Sequence, residues 1–461
     1  MSKQRIKEII MHLYVLATAL LALSTSTLAN TIEDTAVAGL DKPAIYYADI
    51  EPHLKSAAKH PSVTLKQIGT SFQGQALNSL KIGTGPIKVM MWSQMHGDEN
   101  TATAALMDFL SFITADENAQ WLESWQQKVT LLIIPMVNPD GAAAQTRHNA
   151  QGIDLNRDAK ALRTKEGQIL MTAADEFKPD FGFNLHDQNA YYGAGKMGEQ
   201  ATISVLAPAY NEAREVNKIR GEAMQFIAHL AKTVETMIPG HLGKYNDSYS
   251  YRSFGDTFSE KGIRTILIES GAYPNDPNRQ IARKVNRVLY KKTIDSITSQ
   301  EWKSAKIAQY HAIPFNAKDN WVDLLIDDVT VKSELGDYQI DIAINNKGQS
   351  PIIKELGDIS SIRQGYTSLD ASNLNFRTGN SFVLNESLTL TENKYKELLI
   401  QGYSCFSGDI NMLENSTNWP VYACKSVFTS IPSLHAPAAF FLQANGKNKY
   451  AVLGAKLINL D

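Results

Sequence analysis

Cysteine is nearly absent: Cys405 and Cys424 are the only two in 461 residues. A thiolate-rich metal centre and a disulfide framework are therefore both excluded as organisers of the chain. Excess positive charge is also missing, with 45 Lys and Arg against 48 Asp and Glu and a formal net charge of −3. Without a basic run or patch there is no electrostatic footprint for nucleic acid, so that class of partner is excluded. No internal repeat or low-complexity tract interrupts the chain, and solenoid and disordered architectures drop out with them.

One long apolar run exists, from Leu13 to Leu23, behind a basic start of Lys3, Arg5 and Lys7. Small polar residues follow, then Leu28-Ala29-Asn30. This is the layout of a secretory signal over residues 1–29, cleaved after Ala29, and the run is too short for a comfortable bilayer span. The expectation is an exported chain, periplasmic or extracellular, with no stable membrane span after cleavage. In an oxidising compartment the Cys405 and Cys424 pair reads as a disulfide, with two buried free thiols as the alternative.

The remaining length suits two domains. Helical spacing appears at 48–59, 101–113, 165–177, 212–237 and 280–297. Strand-like runs appear at 62–69, 76–82, 87–95, 129–137, 181–185 and 265–268. The runs at 87–95 and 129–137 are apolar on both sides, as strands buried between two layers require. Asn138-Pro-Asp-Gly141 is a strong turn signal, and Asn100 or Thr101 is placed to cap the helix that follows. The alternation predicts an α/β fold over 30–315, with a mostly parallel mixed sheet covered by helices. From 320 to 461 long helical patterns cease. Strand-like runs at 322–331, 338–344, 382–384, 397–403, 419–424, 438–443 and 450–458 predict a smaller β-rich domain, arranged as a sandwich.

Chemistry-bearing residues sit where these strands end, the place where open α/β sheets bind ligands. His96-Gly-Asp-Glu99 follows the 87–95 strand. His and Glu at this spacing offer a neutral nitrogen and an oxygen pair that Zn²⁺ accepts. His186 ends Phe183-Asn-Leu-His186 and is the natural third ligand, since a catalytic zinc takes three protein ligands and keeps one position for water. Glu269 ends Thr265-Ile-Leu-Ile-Glu269. A carboxylate emerging from so apolar a strand is costly to bury without a partner, and beside a zinc-bound water it is placed to act as a general base. Arg147-His-Asn-Ala-Gln-Gly-Ile-Asp154-Leu-Asn156-Arg157 brings two guanidiniums and an amide close together. Such groups bind carboxylates and stabilise an oxyanion.

The order His-x-x-Glu, Asn-Pro-Asp-Gly, Asp-x-Asn-Arg, His at a strand end and Glu in a late strand resembles the zinc metallocarboxypeptidases of the carboxypeptidase A and B type, across residues 45–300. The resemblance implies one Zn²⁺ held by His96, Glu99 and His186, with Asp154 orienting His96. It implies Glu269 as general acid and base, Arg147 as the oxyanion partner, and Asn156 and Arg157 as the grip on a substrate's terminal carboxylate. The implied activity is removal of a C-terminal residue from a peptide or a cell-wall peptide. A zinc amidase or deacylase on small N-acyl amino acids, and a weakly catalytic protein that captures peptide C-termini, are the alternatives.

The chain departs from the family pattern in several places. Ser248 stands where the family's substrate-covering Tyr falls, leaving Tyr249, Tyr251 and Tyr245 as candidates. Gly255 stands at the side-chain specificity position, which shifts that role to neighbours such as Phe254 or Arg252. Asp158 and Asp187 are also unusual, and Asp158 is expected to alter how Arg157 presents itself.

Overall fold

The computed structural model describes residues 31–346, 351–424 and 430–461. The expected signal, residues 1–29, lies outside the described residues. Among the described residues no helix is long and apolar enough to cross a membrane.

An α/β unit comes first. Helix α1 (Tyr47–Ala57) leads into β1 (Val63–Thr70), β2 (Ala76–Ile82) and β3 (Ile87–Ser93). Helix α2 (Thr101–Ile113), β4 (Val129–Ile134), α3 (Pro139–Ala144), α4 (Lys165–Phe177) and β5 (Phe181–Asp187) follow. The short β6 (Gly193–Ala194) and β7 (Ile203–Leu206) precede α5 (Lys218–Met237), β8 (Leu242–Lys244), α6 (Phe254–Glu260), β9 (Arg264–Ser270) and α7 (Gln280–Ser299). The sheet runs β1-β2-β4-β3-β5-β9-β7-β8. Its centre, β4-β3-β5-β9, is parallel, while the β1-β2, β2-β4 and β9-β7 pairings are antiparallel.

The apolar run of β3 is explained by what covers it. Val89 and Met91 pack with Phe109 of α2 and Leu289 of α7 on one face. Met90 and Trp92 pack with Leu170 of α4 and Phe254 and Phe258 of α6 on the other. Successive side chains of a strand point to opposite faces, so a strand between two helical layers must be apolar at every position. Asp108 of α2 is wholly buried and accepts hydrogen bonds from Arg283 and Arg287 of α7 at 2.6 to 3.2 Å. The same arginines hold the carbonyls of Val37, Ile32 and Glu33, so one ion cluster pins the first described residues to the helical layer.

The second sheet begins after β10 (Asn316–Ala317) with β11 (Trp321–Val331) and β12 (Tyr338–Asn345), and continues through β13 (Ile352–Gly357), β14 (Gln364–Asp370) and β15 (Asn375–Thr378). Beyond β16 (Asn380–Leu384) and β17 (Leu388–Leu390) come α8 (Glu392–Ile400), β18 (Tyr403–Gly408) and β19 (Leu413–Asn415). The sheet closes with β20 (Ala439–Ala444), β21 (Lys447–Leu453) and β22 (Lys456–Asn459).

Instead of two facing sheets, a single eight-stranded sheet carries two small two-stranded sheets and α8 against one face. The 397–403 run, expected as a strand, lies mostly in α8. Tyr395, Leu398 and Leu399 are its buried residues, at helical rather than alternating spacing, and Thr391 caps it. The 450–458 run is a hairpin that reverses at Gly454 (φ +61°), a conformation that suits glycine. Cys405 and Cys424 form a disulfide with Cα atoms 5.4 Å apart.

Candidate metal centre

Three loops converge at the ends of β3, β4 and β5. Gln94 turns the chain with φ +52°, and Gly97 then passes the start of α3 so closely that a Cβ there would sit 1.9 Å from the Gly141 carbonyl carbon. Only glycine fits that approach. Asn138 fixes the other side of the contact: its side chain accepts from Gly141 N at 2.9 Å and donates to the Met95 carbonyl at 3.2 Å. The expected turn at 138–141 is thus the capped first turn of α3.

Asn100 occupies the cap position of α2, but its side chain reaches the carbonyl of Pro43. The carboxylate that meets the start of α2 comes from Asp187 at the end of β5, which accepts from Thr101 N at 3.2 Å and Thr101 Oγ1 at 2.8 Å. A negative group at a helix N-terminus is stabilised by the unpaired N–H groups there. Asp187 N in turn donates to Glu99 Oε2 at 3.2 Å. This reciprocal contact brings Glu99 beside His186, the residue before Asp187.

Nδ1 of His96 lies 2.7 Å from Glu99 Oε1 and 3.1 Å from Nδ1 of His186, which is 2.7 Å from Glu99 Oε2. The ligand atoms of His96, Glu99 and His186 all fall within 4.8 Å of one another. Tetrahedral zinc, with bonds near 2.0–2.1 Å, spaces its ligand atoms roughly 3.3 Å apart. The closest separations here, 2.7 to 3.1 Å, fall about 0.2–0.6 Å short of that spacing, so the three side chains would have to part slightly around an ion. On its far side, Nε2 of His96 is 3.1 Å from Asp154 Oδ1, so the ring carries its proton there and turns the Nδ1 lone pair toward the cluster. Nε2 of His186 is buried with no protein partner, leaving Nδ1 as the ring's one polar contact. Arg147 adds a cation from the open side: it is 3.0 Å from Asp154 and its Nη1 is 3.3 Å from Glu99 Oε1.

The charges follow from this packing. Burial would lower the pKa of His96, but its bonds to Asp154 and Glu99 outweigh that and raise it. Burial wins at His186 and lowers its pKa, which favours the neutral imidazole. Glu99 and Asp154 are held below the usual carboxylate range despite burial, Glu99 by His186 and His96, and Asp154 by His96 and Arg147. Glu269 is the opposite case. It faces His186 across the β5–β9 ladder, and burial, then the charges of Glu99 and Asp187, raise its pKa well above the ordinary value. Asp187 is pushed up to about 6, chiefly by burial. Glu99 and Glu269 thus carry opposed shifts beside one donor cluster.

Residues 51–184 match the family model for zinc carboxypeptidases. That segment is similar to the zinc carboxypeptidases. The match takes in His96, Glu99, Arg147, Asp154, Asn156 and Arg157, and stops two residues short of His186. Similar curated proteins include a probable carboxypeptidase 2 of Trichophyton verrucosum, 24% identical over 193 residues, covering 40% of this chain and 34% of that protein. An uncharacterized protein of Zymomonas mobilis is 30% identical over 132 residues, covering 28% of this chain and 34% of its own. The chain thus spans about a third of the length of the curated relatives it matches. Among solved structures, carboxypeptidase A from Helicoverpa armigera aligns with a TM-score of 0.44 at 17% identity, over 64% of this chain and 82% of that one.

Around the matched segment the other candidates are placed unevenly. Asn156 N donates to Asp154 and its Oδ1 accepts from Phe254 N, while the exposed Arg157 bonds the Asn156 carbonyl. Asp158 leaves Arg157 alone: it is buried and accepts from Arg163 N, Thr164 N and Thr164 Oγ1 at the start of α4, correcting the expectation that it shapes Arg157. Tyr249 and Tyr251 pack against each other at 6.5 Å, with Lys160 over the exposed Tyr251 ring. Arg252 is exposed and offers its carbonyl to Ala159 N. Tyr245 is different. Its phenol, raised first by burial, also senses Glu269 and Glu99, and its ring packs on Tyr192 at 5.7 Å.

Sequence reasoning missed Tyr192, Arg279 and the capping role of Asp187. Arg279 bonds the carbonyls of Gln188 and Ser270, tying the strand ends that carry His186 and Glu269. A cation in a loop beside two chemical strand ends was the available signal.

Proposed function

We propose that this protein is an exported zinc-dependent exopeptidase that hydrolyses the C-terminal amide bond of peptides, including the peptide stems of cell wall. The observation that carries the reading is the convergence of His96 Nδ1, His186 Nδ1 and the Glu99 carboxylate on one point beside Glu269. When bound there, zinc supplies Lewis acidity toward water and the scissile carbonyl.

The chain's own residues do the rest. Asp154 holds the His96 ring by its Nε2 proton. The Glu269 carboxylate has no hydrogen-bonded partner among the described residues, and its raised pKa suits a group that takes a proton from the attacking water and returns it to the leaving amine. Arg147, 40% exposed at its side chain, can leave Asp154 on one edge and face a developing oxyanion. Arg157 and Asn156, one loop away, supply a cation and an amide for a terminal carboxylate.

The test is incubation of zinc-loaded full-length protein with a peptide library and muropeptides. Release of one terminal amino acid, lost by about 10²–10⁴-fold in Glu269→Gln with zinc retained, supports the reading. Turnover confined to N-acyl amino acids replaces it with the amidase, and unchanged binding without turnover replaces it with a capture protein.

A further inference from the structure

The segment 188–202 leaves the end of β5 two residues after His186 and returns beside β9: Gln188 N donates to the Ser270 carbonyl at 2.8 Å and Gly271 N to the Thr202 carbonyl at 2.7 Å. Little regular structure holds the residues between, and a loop of this kind is ordinarily a low-stability element. Here the C-terminal domain grips it. Tyr366 Oη donates to the Ala190 carbonyl at 2.7 Å, and the Tyr191 hydroxyl donates to Asp323 at 2.7 Å. Gln364 and Trp321 both donate to the Gly198 carbonyl, at 2.8 and 3.1 Å. Asn316 and Ala317 add a short antiparallel pairing with Ala194 and Gly193.

Tyr191 is buried toward that domain, whereas the next residue, Tyr192, is half-buried and packs edge-to-face on Tyr245 with ring centroids 5.7 Å apart. Tyr245 is also half-buried, and neither hydroxyl has a hydrogen-bond partner among the described residues. Tyr245 N donates to the carbonyl of Val205, next to Ser204, which pairs with Glu269 across the β7–β9 ladder, and Tyr192 lies in the segment that leaves β5 just after His186, so the pair stands at the end of the sheet that carries His186 and Glu269.

We propose that the C-terminal domain is a positioning part of the substrate cleft: its clamp on residues 188–200 holds Tyr192 against Tyr245, and this aromatic pair receives an apolar or aromatic side chain of a peptide. Two edge-to-face rings with free hydroxyls present a large, stiff apolar surface that loses little entropy on contact, which favours aromatic ligands over small ones. The inference rests on the peptide-hydrolase reading for its ligand, and on the hydrogen bonds above for the clamp.

The experiment uses full-length zinc-loaded protein carrying Glu269→Gln, and fluorescent tetrapeptides in which Phe replaces Ala at each position before the C-terminal residue. Phe at one position should bind about tenfold tighter than Ala. Tyr192→Ala should abolish that preference and Tyr192→Phe should retain it. Tyr366→Phe combined with Gln364→Ala should weaken the preference while speeding amide exchange across 188–200. Equal affinities at every position, or a preference that survives Tyr192→Ala, overturns the aromatic pair. Unchanged exchange in the clamp variant overturns the clamp. A Phe preference in a wild-type protein that turns over no peptide overturns the hydrolase reading and supports the pair.

Discussion

Replacing Asp154 by Asn isolates the support that His96, as the proposed metal ligand, draws from its neighbour. Asp154 Oδ1 lies 3.1 Å from His96 Nε2, and its Oδ2 accepts from Arg147 at 3.0 Å. Asn keeps the size and one acceptor oxygen but loses the negative charge and the second acceptor. The His96 ring then either shares the remaining oxygen with Arg147 or loses its hold, and in both cases the charge that raises the basicity of its Nδ1 is gone. Removing such an outer partner typically weakens metal binding 10–100-fold, or about 1.4–2.7 kcal/mol. The assay is competition for zinc between apo protein and a chromophoric chelator at fixed pH, with circular dichroism to confirm folding. An affinity within threefold of wild type would refute the assignment of Nδ1 as the ligating atom and Asp154 as its support.

Two other predictions concern the scaffold. Asp108→Ala leaves the buried guanidiniums of Arg283 and Arg287 without their carboxylate and should cost about 3–5 kcal/mol in urea denaturation; a loss under about 1 kcal/mol would show that the backbone carbonyls of 32, 33 and 37 suffice. Cys405→Ser opens a bridge spanning 19 residues and should destabilise the C-terminal domain by about 2–4 kcal/mol while leaving zinc content unchanged; equal loss in both domains would mean that they unfold as one unit.

Residues whose role is local were legible in the sequence. The uninterrupted apolarity of β3 and β4 reports burial on two faces; His96 and Glu99 come soon after β3, and His186 and Glu269 stand near the ends of β5 and β9. The disulfide was legible because only one pairing exists. What stayed hidden depends on distant partners. Asp187 looks like any carboxylate until β5 is laid beside the start of α2, and Asp158 turns inward to α4 rather than to its neighbour Arg157. The strands at 193–194 and 242–244 are too short to show a period, so Tyr192 and Tyr245 gave no sign of meeting. In the C-terminal domain, Leu398 and Leu399 were read by their apolarity as part of a strand, which concealed a helix whose buried face also carries Tyr395.

The most direct test of the central claim is zinc content after dialysis, measured for wild type, His186→Ala and His148→Ala. His148 is exposed and lies outside the donor cluster, so its variant controls for handling. About one zinc per chain in wild type and His148→Ala, with nearly none in His186→Ala, is the predicted result. Full zinc retention by His186→Ala would contradict the claim that two imidazoles and Glu99 hold a single ion.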